Sequence, residues 1–335
     1  METTLIADHV YDLIQDDVFL RVSGVGALQD FYLKVEGLNP GGSIKMKTAR
    51  SLIQAAEYTR RDLSGLRLIE STSGNLGIAL ATICAAKGYR LTCVTDPNSN
   101  PAALAIMRAL GAEVVTVTRR DANGGFLGTR VAYIERRLST EPDLHWLNQY
   151  ENPSNPAAHE QTTGPAVLKA FGRVDYLFLG VGTGGTLMGS VDYFRRRSPR
   201  TRIVGVDAEG SVNFAPIAAA RHIPGLGTSK RPPLLDQQVP DDVVLVPEWE
   251  TVRECRWLAR HTGLLAGGST GTVLAAVRRL AEAIPQDATV VAIAPDMGER
   301  YLDSVYDDGW VADHGLDRAR PAGNDPLEEE LHVLV

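Results

Sequence analysis

The stretch FLGVGTGGTLMG, residues 178–189, decides which kind of α/β fold the chain adopts. Gly180, Gly182 and Gly185 match the spacing G-x-G-x-x-G of dinucleotide-binding loops. The residues before them, VDYLFL, predict a buried strand, and Asp207 ends a second strand-like run where a dinucleotide fold places its ribose-binding acid. However, backbone N–H groups and threonine hydroxyls in such a loop can also bind a single phosphate monoester. This stretch alone leaves both phosphate ligands open.

Strand-like and helix-like segments alternate on both sides of this loop. Residues 30–37 predict a strand, and residues 43–59 predict the helix that follows, with Ser43 as its N-cap. Two later helices are expected to end at Gly88 and Gly111. This βαβα order predicts parallel strands joined by helical crossovers. The expected fold is α/β, with two domains that are each an open, mostly parallel sheet flanked by helices.

The length of 335 residues also favours about two domains. The stretch NQYENPSNPAAH, 148–159, interrupts the alternation and is the best candidate for a domain junction. Residues 211–240 are rich in Pro and Gly and predict a long functional loop. The predicted larger domain anchors the cofactor and comprises residues 1–38 and 151–320. The predicted smaller domain, 39–150, is mobile and carries the substrate-carboxylate loop, and residues 321–335 are expected to form a weakly ordered tail.

Composition limits the possible functions. The net charge of −7 gives no electrostatic support for binding nucleic acid or an anionic membrane. No apolar run approaches the ~18 residues of a membrane span, and the acidic N-terminus does not resemble a signal peptide. Cys84, Cys93 and Cys255 have no metal-binding spacing and are expected to be buried reduced thiols. We expect a cytoplasmic protein with no metal site.

Three further polar loops each precede a helix, as the loop at 178–189 does. NPGGSIK, 39–45, places a lysine in the first turn of its helix, where the helix dipole disfavours a free cation. Alone, this motif favours a solvated surface lysine, but a lysine that forms a Schiff base would fit there. STSGNLG, 71–77, could bind a carboxylate, and AGGSTGT, 266–272, could bind a heterocycle nitrogen. The first loop is also explained by N-capping by Thr72 or Ser73, which does not exclude carboxylate binding, and for the second loop the local sequence alone favours N-capping.

In this order and wording, the four motifs resemble those of the fold-type II pyridoxal-phosphate enzymes, the cysteine synthase and cystathionine β-synthase family, over residues 8–310. The resemblance implies a tryptophan synthase β-like fold with pyridoxal 5'-phosphate as its cofactor. It implies that Lys45 forms the Schiff base, that Asn75 contacts the 3-oxygen of the cofactor, and that Ser269 faces the pyridine nitrogen. It also implies a phosphate-binding loop made of Gly182, Thr183, Gly184, Gly185 and Thr186. The dinucleotide spacing would then be coincidental.

The family resemblance also indicates the reaction. A serine is a neutral partner for the ring nitrogen, which favours β-elimination and β-replacement over transamination. Within the family, the chain is most similar to enzymes that join O-phospho-L-serine and L-glutamate into N-(2-amino-2-carboxyethyl)-L-glutamate and phosphate, on the way to 2,3-diaminopropionate. The residues expected to bind these substrates are Thr72, Ser73, Gly74, Leu76, Gln149, Tyr150 and Arg130.

Six segments carry this finer similarity: STSGNLGIALA (71–81), NQYENPSN (148–155), GVDAEGSV (205–212), PGLGTSK (224–230), AGGSTGT (266–272) and PDMGERYLDSVYDD (295–308). Leu76 stands where cysteine synthases usually have threonine, and Tyr150 stands where they usually have phenylalanine. Against this, KMK at 45–47 replaces a common Lys-Asp-Arg, and Gly182 follows the cysteine synthase pattern. A cysteine synthase that uses acetylserine or phosphoserine with sulfide is therefore the alternative, and an NAD-dependent oxidoreductase is a distant one.

The expected substrates carry several negative charges, so the pocket should contain cations. Arginine is preferred because its guanidinium makes paired hydrogen bonds to carboxylate or phosphate. Arg130 is the first candidate, because upstream glycines leave its loop free to close. Arg221, Lys230 and Arg300 are the others, and for each a solvated surface charge explains the residue equally well. The family also implies a homodimer.

Overall fold

The computed structural model describes residues 6–59, 63–122, 124–237 and 239–317. The predicted tail, 321–335, lies outside them. The strands are β1 (Phe19–Val25), β2 (Leu28–Val35), β3 (Arg67–Ser71), β4 (Arg90–Thr95), β5 (Glu113–Thr116), β6 (Leu144–Trp146), β7 (Tyr176–Gly180), β8 (Arg202–Ala208), β9 (Asp242–Val246) and β10 (Val290–Ala294).

The strands form two sheets. The larger has the order β1-β2-β10-β7-β8-β9, and all of its neighbours are parallel except the β1–β2 hairpin at one edge. The smaller has the order β5-β4-β3-β6 and is parallel throughout. Two open, mostly parallel sheets confirm the predicted fold class. The strands of the smaller sheet lie inside the predicted smaller domain, although the domain boundaries stay a prediction.

Helices join the parallel strands and cover the sheets. They are α1 (Lys45–Tyr58), α2 (Asn75–Lys87), α3 (Pro101–Ala109), α4 (Leu127–Thr140), α5 (Ser154–Gln161), α6 (Thr163–Phe171), α7 (Gly185–Arg197), α8 (Glu248–Thr262), α9 (Gly268–Leu280) and α10 (Asp308–Asp313). Among the described residues, no helix is long and apolar enough for a membrane crossing.

Separate apolar clusters hold the two sheets. One joins helices α1, α2 and α3 to the smaller sheet, with Met46, Leu80 and Met107 fully or nearly fully buried. Two others cover the larger sheet, and Phe31 and Phe178 are 0% exposed there. Burying a large apolar side chain contributes about 1.5–3 kcal/mol, so these clusters supply most of the stabilisation. The three cysteines are free and buried, as predicted.

Several local predictions hold, and others do not. Helix α2 ends at Gly88, whose φ of 71° is the left-handed conformation of a helix C-cap. Within the described residues, no helix or strand lies between β8 and β9, which agrees with the predicted long loop. The segment predicted as a domain junction, 148–159, contains the start of α5 at Ser154, and its role as a junction stays a prediction.

The predicted N-cap of α1 is wrong by one position. The residue directly before the helix is Ile44, although Ser43 Oγ accepts from the N–H of Lys45, the first helical residue, at 3.3 Å. Ser43 is extended and forms an isolated bridge with Asp296, while the Ile44 N–H donates to the carbonyl of Pro295 at 2.8 Å. Pairing with the chain after β10 therefore positions the start of α1.

Candidate active site

The carboxyl ends of strands from both sheets open into one cavity of about 980 Å³. Strand β3 ends at Ser71, strand β7 ends at Gly180, and Pro295 directly follows β10. These three residues lie in the wall of the cavity. Ligands of open α/β sheets bind at such ends. Apart from the alternative cations, all the predicted site residues line this cavity: Lys45, Thr72, Ser73, Gly74, Asn75, Leu76, Arg130, Gln149, Tyr150, Gly182, Thr183, Gly184, Gly185, Thr186 and Ser269.

Lys45 is the first residue of α1, and its half-buried side chain lines the cavity. Burial lowers the pKa of Lys45 to about 8, and the nearby carboxylate of Asp296 opposes this shift. Removing an ammonium from water disfavours its charged form. A substantial fraction of Lys45 is therefore the neutral amine near pH 8, which is the form that adds to an aldehyde.

The glycine-rich loop 182–186 connects β7 to the N-terminus of α7. A Cβ on Gly185 would lie 2.0 Å from Asn155 Oδ1, so only glycine fits there. Asn155 is fully buried and donates to Thr183 Oγ1 at 3.1 Å and to the carbonyl of Gln149 at 2.8 Å. A helix N-terminus with free N–H groups and threonine hydroxyls suits a phosphate group.

The loop 71–76 connects β3 to α2 and forms another part of the wall. Neither predicted N-cap residue holds that position, which Gly74 occupies, but Thr72 Oγ1 accepts from the Gly77 N–H at 3.0 Å. Leu76 is only 3% exposed and also belongs to the core of the smaller sheet. Its part in substrate binding stays a prediction.

Gln149 and Tyr150 contact this loop from a distant part of the chain. Gln149 Nε2 donates to the carbonyl of Ser71 at 2.9 Å, and the Tyr150 hydroxyl donates to the same carbonyl at 3.3 Å. Burial raises the pKa of Tyr150, although the nearby charge of Arg130 opposes this. Tyr150 therefore remains a neutral phenol in the ordinary pH range.

Arg130 lies in α4 and lines the cavity, and its side chain is 12% exposed. Its Nη1 is 3.5 Å from Asp96 Oδ2, and its buried Nε has no hydrogen-bond partner among the described residues. A guanidinium has five N–H donors and binds anions bidentately. Arg130 therefore has donors to offer an anionic ligand.

Ser269 lies in the first turn of α9 and is 5% exposed. Gly225 approaches it closely: a Cβ on Gly225 would lie 2.3 Å from Ser269 Oγ, and its φ of 114° also requires glycine. The cavity thus combines an amine of lowered pKa, an anion-binding helix N-terminus and a serine hydroxyl. These groups fit the aldehyde, the phosphate and the ring nitrogen of pyridoxal 5'-phosphate.

The other three predicted cations differ in position. Arg221 lines the cavity, and its Nη1 donates to the carbonyl of Leu226 at 2.9 Å. Lys230 is exposed and does not line it. Arg300 lines it, but its guanidinium already binds three oxygen atoms of the protein.

Sequence reasoning did not single out two buried acids at the site. Glu70 is fully buried behind the loop 71–76, and Asp296 is 2% exposed and lines the cavity. Glu70 lies near the end of β3, and Asp296 lies two residues after the end of β10. An acidic residue at the end of a buried strand-like run is the sequence signal that could have identified both. Burial raises the pKa of each, to about 7 for Glu70.

The chain belongs to the pyridoxal-phosphate dependent enzyme family, whose model matches residues 20–296. Pyridoxal phosphate is therefore its cofactor, and the dinucleotide spacing at 180–185 does not indicate NAD. Over 332 residues, 98% of both chains, it is 41% identical to N-(2-amino-2-carboxyethyl)-L-glutamate synthase of Ralstonia nicotianae.

Solved structures give the same class. An O-ureido-L-serine synthase is 32% identical, with a TM-score of 0.83, over 92% of this chain and 100% of that one. An O-acetylserine dependent cystathionine beta-synthase of Helicobacter pylori is 30% identical, with a TM-score of 0.83, over 90% and 99%. The chain is thus a β-substitution enzyme of this family.

Proposed function

We propose that the enzyme joins O-phospho-L-serine and L-glutamate to give N-(2-amino-2-carboxyethyl)-L-glutamate and phosphate, as a step of 2,3-diaminopropionate biosynthesis for a siderophore or peptide natural product. The name of the Ralstonia nicotianae relative supports the product. The observation that carries the choice of substrates is Arg130, a guanidinium that is mostly buried in the cavity wall and whose Nη1 lies 3.5 Å from Asp96 Oδ2. An anionic leaving group and a dicarboxylate nucleophile would both use such a donor.

The proposed roles of the cavity residues follow from their positions. Lys45 would hold the aldehyde of the cofactor, the loop 182–186 its phosphate, Asn75 its 3-oxygen and Ser269 its ring nitrogen. When bound, the cofactor supplies an electron sink that stabilises negative charge on the substrate α-carbon. Thr72, Ser73 and Gly74 would bind the α-carboxylate, since this loop precedes the N-terminus of α2.

Proton transfer is assigned to Lys45. With substrate bound, the neutral amine of Lys45 would take the proton of the α-carbon as general base. The bond between the β-carbon and the phosphate oxygen breaks, and phosphate leaves with the bonding electrons. The α-amine of L-glutamate then forms a bond to the β-carbon and loses a proton, and Lys45 returns a proton to the α-carbon.

Arg130 and Tyr150 would determine which anions the cavity accepts. Tyr150 is anchored to the carbonyl of Ser71, and the charge of Arg130 acts on its hydroxyl. A buried hydrogen bond to a charged group contributes about 1.5–3 kcal/mol, which changes substrate preference about ten- to a hundredfold. Two such groups are sufficient to favour phosphoserine and glutamate over uncharged competitors.

Mass spectrometry of the products tests this proposal. The holoenzyme is incubated with O-phospho-L-serine and, at matched concentrations, L-glutamate, other amino acids or sulfide. We expect the L-glutamate adduct to form much faster than cysteine. Faster formation of cysteine would replace this proposal with the cysteine synthase alternative, which Gly182 favours. Parallel reactions with O-acetyl-L-serine separate the choice of leaving group from the choice of nucleophile.

We also propose that the enzyme is a cytoplasmic homodimer, as the family resemblance implies. Exposed apolar side chains, including Ile6 (87%), Tyr58 (93%) and Ile217 (77%), are available for a subunit interface. Light scattering coupled to size-exclusion chromatography measures the mass in solution. A mass of one 36.2 kDa chain at micromolar concentration would contradict the dimer.

A further inference from the structure

The side-chain amide of Asn75 lies between a carboxylate and a guanidinium. Its Nδ2 donates to Asp296 Oδ2 at 2.8 Å, and its Oδ1 accepts from Arg300 Nη2 at 2.7 Å. Asp296 is 2% exposed, whereas Asn75 and Arg300 are half-buried, so these contacts are partly shielded from water. The two partners are more than 220 residues away from Asn75 in the sequence.

These partners distinguish the oxygen, Oδ1, from the nitrogen, Nδ2, of the Asn75 amide. An ionised carboxylate only accepts hydrogen bonds, and a guanidinium only donates them. Rotation of the Asn75 amide by 180° would place Nδ2 against Arg300 and Oδ1 against Asp296, so both hydrogen bonds would be lost. With Asp296 ionised, one orientation of the amide is therefore strongly favoured.

Both partners are themselves anchored. Arg300 also donates to the carbonyl oxygens of Gly41 and Gly42, at 3.3 and 3.2 Å, just before the helix that carries Lys45. Asp296 also accepts from the hydroxyl of Tyr301. The segment 295–301 after β10 thus holds the amide of Asn75 and the approach to Lys45 together.

We propose that Asp296 and Arg300 are positioning residues that orient the Asn75 amide, so that its second Nδ2 hydrogen remains available to the 3-oxygen of the cofactor. The inference rests on the role given to Asn75 in the proposed function, but it does not depend on the nucleophile. Its test therefore measures cofactor binding without any turnover, and it stands or falls separately from the substrate assignment.

An exchange of the two side chains separates amide orientation from simple packing. Asn75→Asp alone places two carboxylates against each other, so the apoenzyme should melt at a lower temperature and bind pyridoxal phosphate more weakly. The double variant Asn75→Asp with Asp296→Asn restores one donor and one acceptor. Because the Tyr301 hydroxyl can accept as well as donate, it fits either arrangement.

We expect the double variant to regain the wild-type melting temperature of the apoenzyme, while its dissociation constant for pyridoxal phosphate stays about tenfold or more above wild type. The absorption maximum of its bound cofactor should also differ from wild type, because no amide N–H at position 75 reaches the 3-oxygen. Recovery of both the affinity and the wild-type spectrum in the double variant would overturn the proposal.

Two further variants keep the test decisive. Tyr301→Phe removes the hydroxyl that anchors Asp296 but keeps the contacts of the Asn75 amide with Asp296 and Arg300, so its loss of cofactor affinity and its spectral shift should be clearly smaller than those of Arg300→Met. Arg300→Met removes the donor to Asn75 Oδ1 and should weaken cofactor binding and shift the spectrum even if Asn75→Asp does not fold. Unchanged cofactor binding and spectrum in Arg300→Met, or an equal loss in Tyr301→Phe, would overturn the proposal.

Discussion

Glu70 accepts a hydrogen bond from the main-chain N–H of Gln149, at 3.2 Å from Oε2. The same buried carboxylate accepts from the N–H of Ser71 at 2.7 Å and from Trp146 Nε1 at 3.4 Å. These contacts attach the segment with Gln149 and Tyr150 to the end of β3. Glu70 thus holds together two parts of the cavity wall that lie 79 residues apart.

Glu70→Gln should destabilise the protein, and the effect should depend on pH. Burial raises the pKa of Glu70 from 4.5 to about 7, so between these values the folded state holds a proton that the unfolded state has lost. The stability contribution of this group is therefore largest below about pH 4.5 and decreases as pH rises to about 7. Urea denaturation at pH 5 and pH 8 measures the free energy of unfolding.

The difference in unfolding free energy between wild type and Glu70→Gln should become smaller at pH 8, by roughly 3 kcal/mol at most. Since other acids titrate equally in both proteins, subtraction isolates Glu70. An identical difference at both pH values would show that Glu70 does not titrate in this range.

The local sequence was sufficient to predict much of the fold. The strand-like runs that form β2, β7 and β8 and the glycine after α2 are predictable from sequence, because hydrophobic periodicity and capping act over a few residues. Strand β9 was not predicted. Its residues, DVVLV, form a short apolar run, but β9 is the edge strand of the larger sheet and is half-buried or exposed except at its end.

The site was predictable only in part. The loops with Lys45, Asn75 and Ser269 carry local motifs, and all three line the cavity. Asp296 and Glu70 lack such a motif, because their function depends on contacts with residues far along the chain. The local pattern predicts Ser43 as an N-cap. It gives no sign of the pairing between Ser43 and Asp296, because that contact joins distant parts of the chain.

Reconstitution of the apoenzyme with pyridoxal phosphate should accelerate with pH until about pH 8 and then level off. Burial lowers the pKa of Lys45 to about 8, and only the neutral amine adds to the aldehyde. Stopped-flow absorbance measures the rate. A rate that still rises steeply between pH 9 and pH 10 would mean that Lys45 keeps an ordinary pKa.

Borohydride reduction of the reconstituted protein, followed by peptide mass spectrometry, identifies the modified lysine. We expect the label on Lys45. Lys47 is the internal control, because it is buried and paired with Glu36 at 2.7 Å. A label on Lys47 would show that the motif was assigned two residues too early.

Ser269→Asp should slow the release of phosphate from phosphoserine and change the cofactor absorption. A carboxylate at this position favours the protonated ring nitrogen, which stabilises negative charge on the substrate over expulsion of the β-substituent. Ser269→Ala serves as the matched control, because it removes the hydroxyl without adding charge. Equal phosphate release in Ser269→Asp and wild type would mean that Ser269 has no contact with the ring nitrogen.

Arg130→Ala should raise the KM for phosphoserine or for glutamate about ten- to a hundredfold, which is the effect of losing one or more hydrogen bonds to a charged group. Arg130 is far from a free surface charge, since its side chain is 12% exposed and its Nε is buried without a partner among the described residues. Cofactor content and absorption should not change, because the proposed contacts are to substrate. Initial rates with each substrate varied in turn show which one the residue binds.

Two variants complete this test. Arg130→Lys keeps the charge but cannot make paired hydrogen bonds, so we expect it to regain only part of the lost affinity. Arg120→Ala removes a more exposed arginine that also lines the cavity, and its KM values should stay within about twofold of wild type. If Arg120→Ala and Arg130→Ala raise KM equally, the cavity attracts its substrates through its overall charge. A selective loss in Arg130→Ala, with partial recovery by lysine, instead assigns Arg130 to direct contact with a substrate anion.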